Sequence, residues 1–355
     1  MAELLKDYHP PGTAPGTLHP ARGEGERVRV LLTRYRDAKP ETQEFADVRE
    51  LAAAMRGAEL SWVHVIGLGD IKALERLGEL FELHPLALED VTRLGQRPKV
   101  ETYADQLFVI LQHMEYAQEQ TRFTQFALFL RKNCVITFQP SRSDLLEPLR
   151  RRMPNGTGGA PLFSADYLAY SIIDLIIDSA FPALEAFGNR MEALEDEILR
   201  NPNRQVMARI HGVRRQLVHL RRILWPQRDV IVRLMRNEQD LISHDVIVYL
   251  RDSSDHAVQA MDVVESYREM AASLLDVHLS NTNVRLTEVM RVLTVIATLF
   301  TPPIFVTSIY GMNFDRSHPL NMPELGWEYG YLMVWGIIIS IIIGMLLYFR
   351  RKRWM

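Results

Sequence analysis

A single cysteine, Cys134, stands in 355 residues, which excludes an internal disulfide framework and any Cys-rich zinc site. Charge of one sign is also lacking: 41 Lys and Arg face 44 Asp and Glu, a formal net charge of -3. A nucleic-acid binder needs a concentrated basic surface to release counterions from phosphates, so that class is set aside. Residues 1–26 lack the apolar core of a secretory signal, and their prolines and glycines oppose a helix. They read as a mobile leader. No phosphate loop, G-x-S-x-G or H-E-x-x-H is present, and the 11 histidines are scattered without zinc-ligand spacing. Enzyme chemistry has no motif to stand on. Finally, neither Gly nor Pro occurs from Gln227 to Thr301. Such a run permits one long helix, with His244-Asp245 and Ser253-Ser254 as weak points. Two-thirds of it would rise roughly 75 Å, which suits a stalk rather than a compact domain.

What is present begins with a mixed α/β pattern over 27–160. The runs 27–35, 61–68, 106–116, 123–131 and 134–140 are rich in β-formers, and Lys132-Asn133 makes a hairpin turn between the last two. Between them, 70–83 and 85–94 repeat apolar residues at intervals of three and four, as amphipathic helices do. A mixed sheet covered by helices is expected. Residues 161–226 read as a helical hairpin, its first helix bent at Pro182 and its second stopping near Pro226. The stalk follows over 227–291.

Two uncharged runs, 292–310 and 330–349, have the length of bilayer spans. Tyr329, Tyr331, Trp335, Tyr348 and Trp354 stand where interfacial aromatic belts belong. Arg350, Arg351, Lys352 and Arg353 crowd the C-terminal end, while Arg285 and Arg291 precede the first span. The loop 311–329 carries Arg316 against Asp315, Glu324 and Glu328. The positive-inside rule then puts both termini, and the tail 350–355, in the cytoplasm. The fold class is thus an α+β membrane protein: a cytoplasmic mixed α/β domain, a long stalk helix and two C-terminal transmembrane helices.

In the first span Thr287, Thr294, Thr298, Thr301 and Ser308 follow intervals of seven, four, three and seven, one face of a helix. Two helices cannot enclose a hydrophilic path, so a pore needs several subunits, each lending its hydroxyl face to a central axis. Alternatively the hydroxyls bond back to their own helix and merely pack. Pro302-Pro303 frees backbone carbonyls at membrane depth, which are tolerated where they face protein or a water-lined cavity. The loop acids Asp315, Glu324 and Glu328 either concentrate cations at a mouth or are simply solvated.

Tyr310-Gly311-Met312-Asn313-Phe314 closing the first span, followed by MPEL at 322–325 and a second span with a basic tail, resembles the CorA family of divalent-cation channels. HPLALEDV (84–91), QRPKVE (96–101), LLDVHLSN (274–281) and EVMRVLTVIATLF (288–300) extend the resemblance over most of the chain. It implies a homopentameric funnel in the inner (plasma) membrane, passing Mg2+ inward, often with Co2+ and Ni2+, down the membrane potential. The loops of Tyr310, Gly311, Met312 and Asn313 would form the selectivity filter. A neutral amide ring can hold Mg2+ through its water shell without retaining it. Left-handed capping of the helix by Gly311 and Asn313 is the bland reading, compatible with the first. Met290 and Leu293 match hydrophobic gate positions, where a narrow apolar ring dewets.

The resemblance further implies regulatory Mg2+ held between subunits. The ligand positions match Asp90 and Asp276, and Asp252 resembles an additional one; each on its own reads as a solvated acid. Two departures stand out: the family often has Asn at the position of Thr287 and a bulky apolar residue at that of Thr301. Zinc transporters of the same architecture are a rival within the superfamily, disfavoured by GMNF with MPEL. A membrane-anchored sensor without transport is the rival from another class.

Overall fold

Alternation along the strands decides the layering. In Gln106–Ala117, Phe108 and Ile110 point into one apolar cluster, and Leu107, Val109 and Leu111 into another. The strand therefore separates two cores, as a period of two requires. The computed structural model describes residues 12–19, 28–36, 39–117, 120–140, 144–152, 164–200, 204–236, 240–314 and 321–354. It divides into two units, Met1–Asp196 with Ala208–Ser273, and Glu197–Met207 with Leu274–Met355.

The first unit holds seven strands: β1 (Arg29–Arg36), β2 (Lys39–Phe45), β3 (Leu60–Ile66), β4 (Lys99–Tyr103), β5 (Gln106–Ala117), β6 (Gln120–Arg131) and β7 (Cys134–Gln139). They form one sheet in the order β2-β1-β3-β7-β6-β5-β4. Every neighbouring pair is antiparallel except β3 with β7. The helices are α1 (Leu51–Ala54), α2 (Ile71–Leu80), α3 (Pro85–Thr92), α4 (Glu147–Arg152), α5 (Ala165–Asp178), α6 (Ala180–Arg200), α7 (Arg204–Met235) and α8 (His244–Tyr310). One face of the sheet meets α2 and α3 through Leu74, Leu77, Leu88 and Val91. The other meets α5 through Leu168, Ile172, Ile173 and Ile176, with Val230 and Ile231 of α7 and Val246 and Leu250 of α8 behind them. Burying each such side chain is worth about 1.5–3 kcal/mol.

The structure corrects several of these expectations. The first long helix breaks at Ser179 rather than at Pro182, which sits in the first turn of α6, where its missing N–H costs nothing. Pro226 lies inside α7 and does not end it. The neighbouring Gln227 is buried, and its side-chain oxygen accepts the amide of Gln112 at 2.7 Å, anchoring the helix beyond the proline to the open edge of β5. The Gly/Pro-free run is interrupted once, before His244, one of the two weak points; Ser253-Ser254 is continuous buried helix. In the leader, residues 12–19 lie against α3: the Gly16 amide donates to Glu89 Oε2 at 2.7 Å. That stretch is not free.

α5 and α8 are tied by polar links that advance together along both helices. Asp166 Oδ2 accepts the Ser243 amide at 2.8 Å, capping the start of α8. Ser253 Oγ donates to Asp174 at 2.7 Å, and His256 Nδ1 meets Asp178 at 2.8 Å.

The second unit contains the C-terminal part of α8, a short 3-10 turn (Pro323–Gly326) and α9 (Gly330–Arg351). Among the described residues, three helical stretches are long and apolar enough to cross a membrane. In Ala165–Arg200 56% of the apolar window is buried, spent on the sheet; in α8 and α9 the share is 6% and 11%. Those two carry uncovered apolar surface that water does not favour.

Candidate functional site

The residues singled out from sequence fall into an apolar two-helix region and two acidic groups of the first unit. In α8 a residue advances 100° around the axis, so Thr287, Thr294, Thr298, Thr301 and Ser308 share an arc of about 80°. Met290 lies at the edge of that arc, Leu293 about 60° beyond it, and Asp276 falls inside it. Thr287, Met290, Leu293, Thr294, Thr301 and Ser308 are exposed and Thr298 is half-buried. Three of the threonines bond back along the helix: Thr287 to Asn283 O at 2.9 Å, Thr294 to Met290 O at 2.7 Å and Thr301 to Ala297 O at 2.6 Å. Their hydrogens are spent, which leaves oxygen lone pairs on the stripe. Pro302 and Pro303, inside α8, supply no N–H to the carbonyls of Thr298 and Leu299. Thr287, Thr294 and Thr301 therefore present acceptors on this face, as suits a cation or its water shell.

At the end of α8 the Gly311 amide still donates to Thr307 O, at 3.0 Å, and Met312 N to Ile309 O, at 3.1 Å. Neither Gly311 nor Asn313 has positive φ, so the left-handed cap is not what the helix uses. A Cβ at Gly311 would stand 3.4 Å from the Thr307 carbonyl, an ordinary contact, so packing within the chain does not demand glycine there. Met312, Asn313 and Phe314 are exposed. Of the loop acids, Glu324 accepts from the Tyr310 hydroxyl at 3.3 Å, tying the 3-10 turn to the helix end, and Glu328 is exposed. Asp315 lies outside the described residues. On α9, Tyr331 and Trp335 meet edge to face at 6.5 Å, and Phe349 and Trp354 stack at 5.9 Å.

In the first unit, Asp90 lies in the last turn of α3, close to β4. Its Oδ1 accepts from Gln96 at 2.9 Å and its Oδ2 from the Lys99 ammonium at 2.6 Å. Lys99 also reaches Glu101 at 2.8 Å, and Glu101 accepts from Tyr103 at 2.8 Å. Burial works against the charge on Glu101, but its bonds to Lys99 and Tyr103 outweigh it and hold the carboxyl below its usual range. Burial and Glu101 together push the Tyr103 phenol up to about 12. Asp90, Lys99 and Glu101 line a cleft of about 480 Å³ that is closed on one side by Gly12–Pro15. Pairing of Lys99 and Glu101 was not drawn from the sequence. The signal for it is the alternation K-V-E-T-Y, which puts 99, 101 and 103 on one face of a strand.

Asp252 is exposed on α8, and four residues on, His256 Nε2 lies 3.9 Å from its carboxylate. Asp174, Asp178 and His256 converge so that one ligand atom from each lies within 4.8 Å of the others. Burial raises the Asp174 carboxyl above its usual value, more than the Ser253 hydrogen bond lowers it. Burial would lower the His256 imidazole, but Asp178 and the surrounding acids raise it. Two carboxylates and an imidazole in this spacing can take a divalent ion in place of the histidine proton. Sequence reasoning found Asp252 and missed Asp174, Asp178 and His256, although two acids at i and i+4 in the apolar run SIIDLIIDSAF were the available sign. Asp276 belongs to the second unit and to the hydroxyl face of α8.

A mixed α/β domain, an uninterrupted helix leading into an apolar span, and a second apolar helix define a two-span membrane protein with a large soluble portion. The family described as "CorA-like Mg2+ transporter protein" matches residues 57–353. The cobalt/magnesium transport protein CorA of Thermotoga maritima is 36% identical over 348 residues, 97% of each chain. That of Methanocaldococcus jannaschii is 28% identical over 261 residues, 72% of this chain and 80% of that protein. The solved CorA magnesium transporter of M. jannaschii superposes with a TM-score of 0.77 at 22% identity, covering 92% of this chain and 98% of that one. The chain belongs to the CorA family.

Proposed function

We propose that the protein carries Mg2+, and with it Co2+, into the cytoplasm through a pore lined by α8 in a homopentamer. The observation that carries this reading is the single hydroxyl-and-carbonyl face of α8 that leads to the exposed Gly311-Met312-Asn313 turn. It is joined by the 36% identity to a cobalt/magnesium transport protein over 97% of the chain. Mg2+ gives up water reluctantly, so a ring of Asn313 amide oxygens recognises the hydrated ion by hydrogen bonds to its waters. Glu324 and Glu328, with Asp315, raise the local cation concentration at the outer mouth. Below the filter the ion passes the acceptor face and the apolar ring of Met290 and Leu293, which dewets when narrow. Asp276, in phase with the stripe, faces the same path. With both termini cytoplasmic, an inside-negative potential supplies about 2.3 kcal/mol per elementary charge per 100 mV, twice that for a divalent ion.

Asp90 and Asp252, the latter with Asp174, Asp178 and His256, are the regulatory cation positions, together with Asp276. Bringing carboxylates together costs repulsion that a divalent ion removes, so filling these sites favours the closed ring and emptying them loosens it. The test is Mg2+ uptake into proteoliposomes held inside-negative. Wild type takes up Mg2+ and Asn313→Ala loses selective uptake. Uptake by the variant at the wild-type rate and selectivity would remove the filter assignment, and no uptake by wild-type protein would remove the transport reading.

A further inference from the structure

Asp90 does not stand open to a metal ion. Both carboxylate oxygens are engaged, one by the neutral Gln96 amide and one by the Lys99 ammonium. A divalent cation that binds Asp90 directly must take Oδ2 from Lys99, and one that binds through its waters must share the oxygen with a positive charge 2.6 Å away. Lys99 has somewhere else to go: Glu101 Oε1 lies 2.8 Å from the same nitrogen. Release from Asp90 therefore breaks one ion pair and keeps the other. The contact is neither fully buried nor free, with 28% of the Lys99 side chain and 18% of the Asp90 side chain exposed, so an incoming ion reaches it from the adjoining cleft. A lysine suits such exchange, because its ammonium is a compact point charge on a flexible stem, whereas an arginine fork would clamp both carboxylates.

We propose that Lys99 is a tethered competitor of the divalent ion at Asp90, with Glu101 as its alternate seat, and that this competition sets the Mg2+ concentration at which the position fills. The inference rests on the reading of Asp90 as a regulatory ligand. The two partners act in opposite senses. Without the Lys99 charge, Asp90 and Glu101 face the ion as two uncompensated carboxylates and binding tightens. Without the Glu101 charge, Lys99 is held by Asp90 alone and binding weakens. A purely structural role for the trio would move both variants the same way.

The full-length protein in detergent is titrated with MgCl2, and the Mg2+ concentration giving half the maximal rise in thermal unfolding temperature is read for each variant. Lys99→Met is expected to lower that midpoint roughly fivefold, which is about 1 kcal/mol at 1.4 kcal/mol per tenfold. Glu101→Gln raises it by a comparable factor, and Lys99→Arg, which keeps the charge, does not lower it. An unchanged or raised midpoint in Lys99→Met, with Asp90→Asn shifting the wild-type midpoint upward, overturns the competition and leaves the regulatory reading standing. An unchanged midpoint in Asp90→Asn overturns the regulatory reading and the competition with it. Should Lys99→Met fail to fold, Glu101→Gln decides: a raised midpoint supports the proposal, and an unchanged or lowered one overturns it.

Discussion

Thr137 shares one hydroxyl among buried neighbours, one of which is His64. The Trp62 indole N–H donates to Thr137 Oγ1 at 3.0 Å, His64 Nδ1 lies 2.7 Å from the same oxygen, and the Val63 carbonyl lies 3.4 Å from it. His64 Nε2 faces Asp144 Oδ1 at 3.4 Å. Asp144 is clamped on its other oxygen by Arg150 at 2.5 Å, whose guanidinium lies 4.7 Å over the Trp62 ring. The line Thr137–His64–Asp144 has the order of a hydrolytic triad, but His64 is fully buried among core strands and nothing there admits a substrate. Burial lowers the His64 pKa, more than Asp144 raises it. Burial would raise the Asp144 carboxyl, but His64 and Arg150 outweigh that and hold it well below its usual range. Both groups therefore bind protons more readily when unfolded. Their contribution is complete above the ordinary histidine value near 6.5, and declines as pH falls, first through the histidine and then through the carboxylate range. Each unit of depression is worth about 1.4 kcal/mol. The unfolding temperature of wild type should thus fall between pH 7.5 and 5, and that of His64→Gln should fall less steeply. Identical slopes would mean that another group titrates.

At the scale of elements, the approach of α6 to α8 depends on one missing methyl. A Cβ at Gly188 would overlap the Tyr267 hydroxyl, which donates to Leu184 O at 3.1 Å and whose ring lies 5.7 Å from Phe187. Gly188→Ala is expected to displace the Tyr267 hydroxyl and cost about 0.5–1.5 kcal/mol, because the phenol loses its bond to the Leu184 carbonyl even as helix propensity improves. Pairing it with Tyr267→Phe checks the cause: in that background Gly188→Ala should cost less, and an unchanged cost would place the strain elsewhere. Which elements could be read from sequence follows from the same physics of covering. Strands β1, β3, β5, β6 and β7 occupy the interior of the sheet, are apolar on both faces, and stood out as runs of β-formers. The two strands that escaped notice, β2 (KPETQEF) and β4 (KVETY), are the two edges, where polar and charged residues replace the apolar pattern. Of the site, the hydroxyl stripe and the YGMNF turn are local in sequence and were legible. The grouping of Asp174 and Asp178 with His256 joins residues 78 or more apart, and only the parallel course of α5 and α8 brings them together. Pro226 misled for a related reason: a proline can stay inside a helix when packing holds its neighbours, as Gln227 is held by β5.

For the molecule as a whole, the proposed pore requires more than one copy of the second unit. Phe300, Ile304 and Phe305 on α8 are 59–65% exposed, as are Leu332 and Leu347 on α9 at 63% and 64%. Lipid can cover apolar surface of this kind, but it offers no partner to the hydroxyl oxygens of Thr294, Thr298, Thr301 and Ser308, nor to the carbonyls that Pro302 and Pro303 leave without donors. In hydrocarbon an unpaired polar group costs several kcal/mol, and water is the only partner able to follow a face of this length. A water column needs a wall on every side, and one α8 is a fraction of a wall. Copies of the chain arranged around an axis supply the rest with the same surface, by symmetry and without a second protein. With five copies the detergent-solubilised protein, corrected for bound detergent, should scatter light as a particle about five times the 41.0 kDa chain. The mass should stay the same in Asn313→Ala, since the turn at 311–313 contributes no wall. A monomer that still transports would contradict the central axis outright. A stable ring of another number would keep the argument from the uncovered face and change only the count of subunits.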